Sequence, residues 1–492
     1  MNFTTLYSED AMDIKYAQYE DFGALGDGIH DDLEAIVACH AYANEHGLDV
    51  RAKEGATYYI GPKAMAATVR TNTCWRGAKF LIDDTAVENR NFSVFVIASD
   101  NERFTPEITS LAHDQKKIDF PHTGRVLVRV FNDELRIYRR KGLNQDNGQA
   151  ASDSFIVDED GSILTDINWD YPTVSRVYAK SADDEPITLE GGEFTTVANA
   201  APCLYTYYKR GIEVLRSNVT IKGLTHLVTG EGECGAPYAG FILVGECADF
   251  TIEDCVLTPH KTYQTQSTQP GKTVSMGTYD FSLSGTVGVT MRGITQTVDI
   301  TDTSRWGLVG TNYSKNVLIE NCVMSRYDAH CGVTNALIRN CTLGHQGCNV
   351  IGFGSFTIEN TTVKSYSFIN LRDDYGSFFK GKLTVRNCTW EPIGAHSFVF
   401  NGLNTGDHDF GYECAMPYEV TVDGLTIVDG APDRNGKFYL FPTYDRDFEE
   451  GKPFAYKVTE TVSLRNVSVD TGRELELTEK TELYLDTQIV CP

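Results

Sequence analysis

The chain has 492 residues, of which 43 are Lys or Arg and 68 are Asp or Glu, giving a formal net charge of −25. Nucleic acid and anionic membrane surfaces are excluded as expected partners, because either would need a basic face that this balance does not supply. No apolar run approaches the ~18 residues of a membrane span, and the first 23 residues show no basic stretch followed by an apolar one. The 13 cysteines lack CxxC or disulfide-scaffold spacing, which predicts reduced thiols and a cytoplasmic location.

The first element is announced by DFGALGDGIHDDLEAI at 21–36. Asp31 reads as an N-cap with Glu34 completing a capping box, Leu33, Ile36, Val37 and Ala41 as the apolar stripe of a helix near 31–46, and Gly47 as its C′ residue. The acids of this stretch are thereby expected to act on stability, not chemistry. Together with EGATYYIG at 54–61, the block resembles the entry signature of the pectate-lyase-like superfamily. That resemblance implies an all-β, right-handed parallel β-helix entered through an N-terminal capping helix, and carbohydrate as ligand.

Segments 1–89 are expected to hold the cap and first coils, and 90–210 a β-rich insertion or elaborated early coils. Within the latter, GRVLVRVFNDELRIYRRKG, DSFIVDEDGSI and YPTVSRVYAKSADDEPITLEGG alternate like hairpin strands. From 211 to 492 one pattern recurs, with copies beginning at Asn218, Asp249, Asn316, Asn335, Ser355, Lys382, Glu419 and Thr461. Each is a short alternating strand that breaks at Asn, Asp or Gly. Such a unit cannot bury its apolar face alone, and the variable gaps between copies predict a β-solenoid with loops on one side. Cys255, Cys322, Cys341 and Cys388 share one repeat position and are expected as stacked interior residues; four ligands for a metal would have to converge at one height. The polar stretch at 260–285 reads as a long loop over the solenoid wall.

The densest polar cluster runs from 304 to 375 and supplies Arg305, Trp306, Asn312, Tyr313, Arg326, Tyr327, Asp328, His330, His345, Gln346, Asn349, Arg372, Asp373, Asp374 and Tyr375. Stacked coils would gather these residues into one cleft. Aromatic rings suit the apolar faces of sugars, and fixed polar groups suit their hydroxyls. Glycosidic hydrolysis needs two carboxyl groups. Asp328 and Asp373 are the expected pair, with Asp374 as alternate and His345 and Arg372 beside them. Trp306, Tyr313 and Tyr327 would form a stacking platform, and Asn312, Arg326, His330, Gln346, Asn349 and Tyr375 further contacts to substrate. Two coils separate Asp328 from Asp373, roughly 10 Å at the strand spacing, which favours inversion.

GHQG at 344–347 and Arg372-Asp373-Asp374 are similar to elements of the polygalacturonase-like branch of the same superfamily, although Gln346 interrupts its Gly-His-Gly. Two other readings stand beside hydrolysis. One is a polysaccharide lyase acting by β-elimination on a uronate, with Arg305, Arg326 or Arg372 holding the carboxylate and Tyr327, His330 or His345 as base. The other is a non-catalytic glycan-binding β-helix of the phage tailspike type, disfavoured by the roughly 20 residues ahead of the cap signature. Asp407, His408, Asp409 and Glu413 in GDHDFGYEC have a metal-loop composition but read better as a turn between coils that overhangs the cleft. No metal or cofactor is expected; the expected partner is an oligo- or polysaccharide, and homo-oligomer assembly is left open.

Overall fold

A computed structural model describes residues 16–89, 91–199, 201, 208–232, 238–431, 436–443, 456–479, 484 and 486–490. Its body is a right-handed parallel β-helix. The longest ladder starts at Tyr16–Gln18 and climbs through Asp49–Arg51, Thr73–Cys74, Ile187–Glu190 and Val219–Lys222 to Glu419–Ile427, Thr461–Val469 and Gln488–Val490, every pairing parallel. Ile319, Ile338, Ile358 and Val385 pair in register, so the unequal spacing of the sequence copies leaves the interior column unbroken. Every copy in the repeat forms a rung. Val287–Arg292 is a further rung, and the first rungs lie well before residue 211.

The break residue of the repeat has a backbone cause. Gly223, Asp254, Gly293, Asn321, Asn340, Asn360 and Asn387 all turn the corner with φ between 49° and 64°. In this left-handed region only Gly is unstrained and Asn and Asp are tolerated, which is why the pattern ends on those three types. Cys255, Cys322, Cys341 and Cys388 each follow a corner, buried and unbridged, and the Cys322 amide donates to Cys341 Sγ at 3.4 Å.

A second ladder runs from Asp27–Asp31 through Thr57–Ile60, Lys79–Asp83, Glu193–Val197, Thr225–Thr229 and Val256–Leu257 to Thr295–Gln296. Tyr58, Phe80, Phe194 and His226 form its inward column. A third wall begins at Ala67–Val69 and Phe95–Ile97 and continues through Ile212–Val214, Ile242–Gly245 and Phe281–Ser284 to Thr342–Val350, Ile369–Leu371 and Phe400–Asn401. This third wall carries the candidate site.

The helix Leu33–His46 covers the first coil and ends at Gly47 in the left-handed conformation, its N–H bonded to Ala43. The expected capping box is absent. Asp31 lies on a strand and accepts the Leu33 amide at 3.1 Å, while Glu34 turns out to Lys63 at 2.7 Å. The anchoring acid is its neighbour Asp32, 2% exposed, which accepts the Leu25 and Gly26 amides at 2.7 and 3.2 Å and ties the entry turn to the helix start.

An antiparallel sheet of Arg103–Phe104, Val126–Ile137, Gln149–Val157 and Arg176–Ser181 leans on the outside of the solenoid. The buried pair Lys315–Asp153 at 2.5 Å and the Arg129–Glu246 pair at 2.7 Å fasten it. Past Ile137 its chain reaches across the third wall. There Tyr138 packs edge-on against Tyr313, Tyr375 and Tyr412. The segment expected as a loop at 260–285 contains the hairpin Tyr263–Gln266 with Thr273–Met276 and then the rung Phe281–Ser284. No helix among the described residues is long and apolar enough to cross a membrane.

Candidate active site

On the third wall Asp328, Asn349, Asn370 and Asn401 occupy one column on successive rungs. Their neighbours Tyr327, Val350, Leu371 and Phe400 are buried in the coil, since adjacent strand residues face opposite ways. Tyr327 is therefore an interior residue with its hydroxyl 3.3 Å from Thr311, and offers no sugar platform.

Asp328 faces outward but is fully covered. Arg326 donates to it at 2.6 Å, Arg372 at 2.8 and 2.7 Å, and the Tyr279 hydroxyl caps the group. Burial opposes its charge, but Arg326 and then Arg372 outweigh burial and hold the carboxyl below its ordinary range. Asp328 thus cannot touch a substrate in this arrangement, and the spacing argument for inversion goes with it.

Arg372 is a bridge. Its other edge binds Asp374, Nε to Oδ1 at 3.0 Å and Nη2 to Oδ2 at 2.7 Å, and Arg140 from the insertion adds a third bond to Oδ2 at 2.9 Å. Both oxygens of Asp374 are occupied by guanidinium, and the carboxyl sits below its usual range because Arg372 and Arg140 outweigh burial. Asp373 differs. It is exposed at the start of the same short turn, and loss of water around it, followed by repulsion from Asp374, pushes its carboxyl up.

Asp373 and Asp374 line a cavity of about 350 Å³ with Arg140, Lys141, Asn404 and Asp407. The insertion and the hairpin roof it together: Thr268 donates to the Gln145 carbonyl at 2.9 Å and Gln269 to the Gly142 carbonyl at 3.1 Å. Asp407 takes Lys141 on Oδ1 at 2.6 Å and the Thr405 hydroxyl on the same oxygen. These bonds hold its carboxyl down at about 2. The remaining members of GDHDFGYEC bind apart from one another, His408 to the Arg139 carbonyl, Asp409 to Arg139 and Glu413 to Lys457, so the loop docks the insertion.

The other sequence candidates scatter. His345 is buried with both ring nitrogens 3.1 Å from backbone carbonyls, of Ile300 and Arg305. Trp306 lies under the Arg326 guanidinium at 4.6 Å, and Tyr313 is taken up by Gln149 and the aromatic cluster of the insertion. His330 bonds Asn312 at 3.1 Å, and burial, then Arg372, push its imidazole down to about 3. Arg305 is spent on Glu231 at 3.3 Å. Tyr375 is buried, and its carbonyl accepts the Tyr412 hydroxyl. His345, Gln346 and Asn349 do line a cavity, a second one of about 330 Å³ on the same wall. Arg140, Lys141, Asp407, Asn370 and Asn401 were not among the sequence-derived site residues. For the last two a signal exists in CNV, INL and FNG, where Asn repeats at one strand position.

A second charged cluster lies inside the coil. His226 stacks on Phe241 at 3.8 Å and binds Asp280 at 2.8 Å; His260 bridges Asp280 at 3.3 Å and Glu231 at 2.8 Å. Asp280 and Glu231 outweigh burial and raise His260 to about 10. The void beside this cluster is only about 10 Å³.

No protein-family profile matches the chain. A capsule KL64-specific depolymerase of Klebsiella phage P510 is 30% identical over 96 residues, covering 17% of this chain and 9% of that protein. Among solved structures, the tailspike gp61 of Pseudomonas phage phi297 superposes with a TM-score of 0.55 at 14% identity, over 96% of this chain and 84% of that one. The tailspike gp49 of Pseudomonas phage LKA1 gives 0.52 at 13% identity, over 92% and 81%. At these identities the likeness concerns the fold.

Proposed function

We propose that this chain, a right-handed parallel β-helix of the pectate-lyase-like superfamily, is a polysaccharide depolymerase that hydrolyses a glycosidic bond in the roofed cavity. The observation that carries the reading is the unequal state of the carboxyls around that cavity. Asp374 is clamped by two arginines and stays charged, whereas partial burial, and after it the Asp374 charge, raise the Asp373 carboxyl above its ordinary range. Asp373 is then the general acid that gives its proton to the leaving glycosidic oxygen. Asp407 keeps Oδ2 for a water molecule and is the base that activates it, while Asp374, with both oxygens occupied, contributes charge opposite the developing oxocarbenium ion. The depolymerase and tailspike likenesses support glycan as the substrate class.

Elimination on a uronate is the weaker reading, because most of its residues are spent and His330, the base candidate left over, lines neither cavity. Arg305, Arg326 and Arg372 are each paired with buried or half-buried carboxylates, Tyr327 is inside the coil, and both nitrogens of His345 are engaged. Incubation with a panel of capsular and neutral polysaccharides tests the proposal. New reducing ends without ultraviolet absorption from a double bond are expected, and unsaturated products would replace hydrolysis with elimination.

A further inference from the structure

The second cavity, of about 330 Å³, is strung on the same two chain segments as the first: Asn370 leads into Asp373, and Asn401 into Asn404. Its lining includes Gln346, Asn349, Tyr366, Asn370, His396 and Asn401, and contains no Asp, Glu, Lys or Arg. The Asn401 side-chain amide donates to Asn370 Oδ1 at 3.0 Å, that of Asn370 to Asn349 Oδ1 at 2.8 Å, and that of Asn349 to the Gln346 backbone carbonyl at 3.0 Å. This fixes three carboxamides one strand rung apart, at ~4.8 Å.

We propose that this row is a subsite for uncharged sugar units of the glycan cleaved next door; it rests on the depolymerase reading. An amide carries two N–H donors and an acceptor oxygen, and the ladder uses one N–H of each. The second N–H of each amide, with the Asn401 oxygen at the ladder's end, meets hydroxyls that both donate and accept. A carboxylate would lose water here with no Lys or Arg to receive it, a cost that amides do not offset. Tyr366, 44% exposed, stands edge-on to His396 with ring centroids 4.9 Å apart and supplies an apolar face for the C–H side of a ring. The volume falls at the small end of the ~300–1,000 Å³ usual for ligand sites, which suits a short stretch of glycan.

The test uses the Asp373→Asn protein, which binds without cleaving, titrated by calorimetry and saturation-transfer NMR with neutral gluco-, manno-, galacto- and N-acetylglucosamine oligosaccharides and with oligogalacturonate. At least one neutral series is expected to bind, and Asn370→Ala and Asn401→Ala, each checked for unchanged melting, to weaken it at least 10-fold. Binding of oligogalacturonate alone, no neutral binding, or neutral binding indifferent to both substitutions overturns the subsite. The two proposals separate cleanly: Asp373-dependent cleavage indifferent to Asn370 and Asn401 sinks the subsite and leaves the depolymerase, whereas Asn-dependent neutral binding without cleavage of any polysaccharide does the reverse.

Discussion

Two of the buried charge clusters among the described residues invite comparison. Around Asp280, two imidazoles and two carboxylates close on one another inside the coil, against a void of about 10 Å³. Around Asp328, two arginines start equally buried, but the chain of bonds runs outward through Arg372 to Asp374, whose neighbour in sequence, Asp373, is exposed. Burial and shifted protonation occur in both. What separates a site from a structural knot is a group with unused capacity facing a space large enough for a ligand.

The sharpest division comes from Asp373→Asn, which should lower the rate on a cleaved polysaccharide by at least 10²-fold with melting unchanged. Equal loss of melting temperature would place Asp373 with the structural group. Asp280→Asn is the mirror case. It leaves buried imidazoles short of a countercharge and should cost about 3–5 kcal/mol in denaturant unfolding, while the folded fraction cleaves normally. The same knot sets a pH signature. His260 has its folded value raised to about 10, so its contribution is fully present below the unfolded value near ~6.5 and fades as pH rises through about 10. Asp280→Asn should flatten that alkaline loss of stability.

Asp374→Asn acts between the two. Removing the neighbouring negative charge lowers the Asp373 carboxyl, so the acid loses its proton earlier and the alkaline limb of the rate profile moves to lower pH. An unmoved limb would mean that Asp373 is not the proton donor. The smallest effect is expected at the corners: Asn340→Ala should cost ~1–2 kcal/mol for a side chain without local hydrogen bonding in the left-handed region, with no effect on turnover.

The rungs from Asn218 onward were readable because their corners demand Asn, Asp or Gly after an alternating strand. Val287–Arg292 carries the same alternation and the same corner at Gly293, so the pattern covers it as well. The first rungs are two to five residues long, too short for periodicity to speak. In the site, Arg372, Asp373 and Asp374 stood out as a charged run after a strand. Tyr327 and Asp328 were assigned to the same surface although strand parity sets them on opposite faces. Arg140 and Lys141 had no signal, because they reach the cavity only when an insertion more than 200 residues away in sequence docks on the wall.

The left-handed corners also divide labour along the chain. Between corners the number of residues is free, as the unequal gaps around Ile338 and Ile358 show, while the corner fixes where the next rung begins. A segment added on the outside therefore changes what the wall can hold without disturbing the stack. The roof formed by the antiparallel sheet and the hairpin is such an attachment, and its seams are made largely with main-chain carbonyls, of Gly142, Leu143 and Gln145. A main-chain acceptor makes no demand on the side chain of its own residue, so Leu143 and Gln145 are free to vary while the scaffold beneath keeps its form.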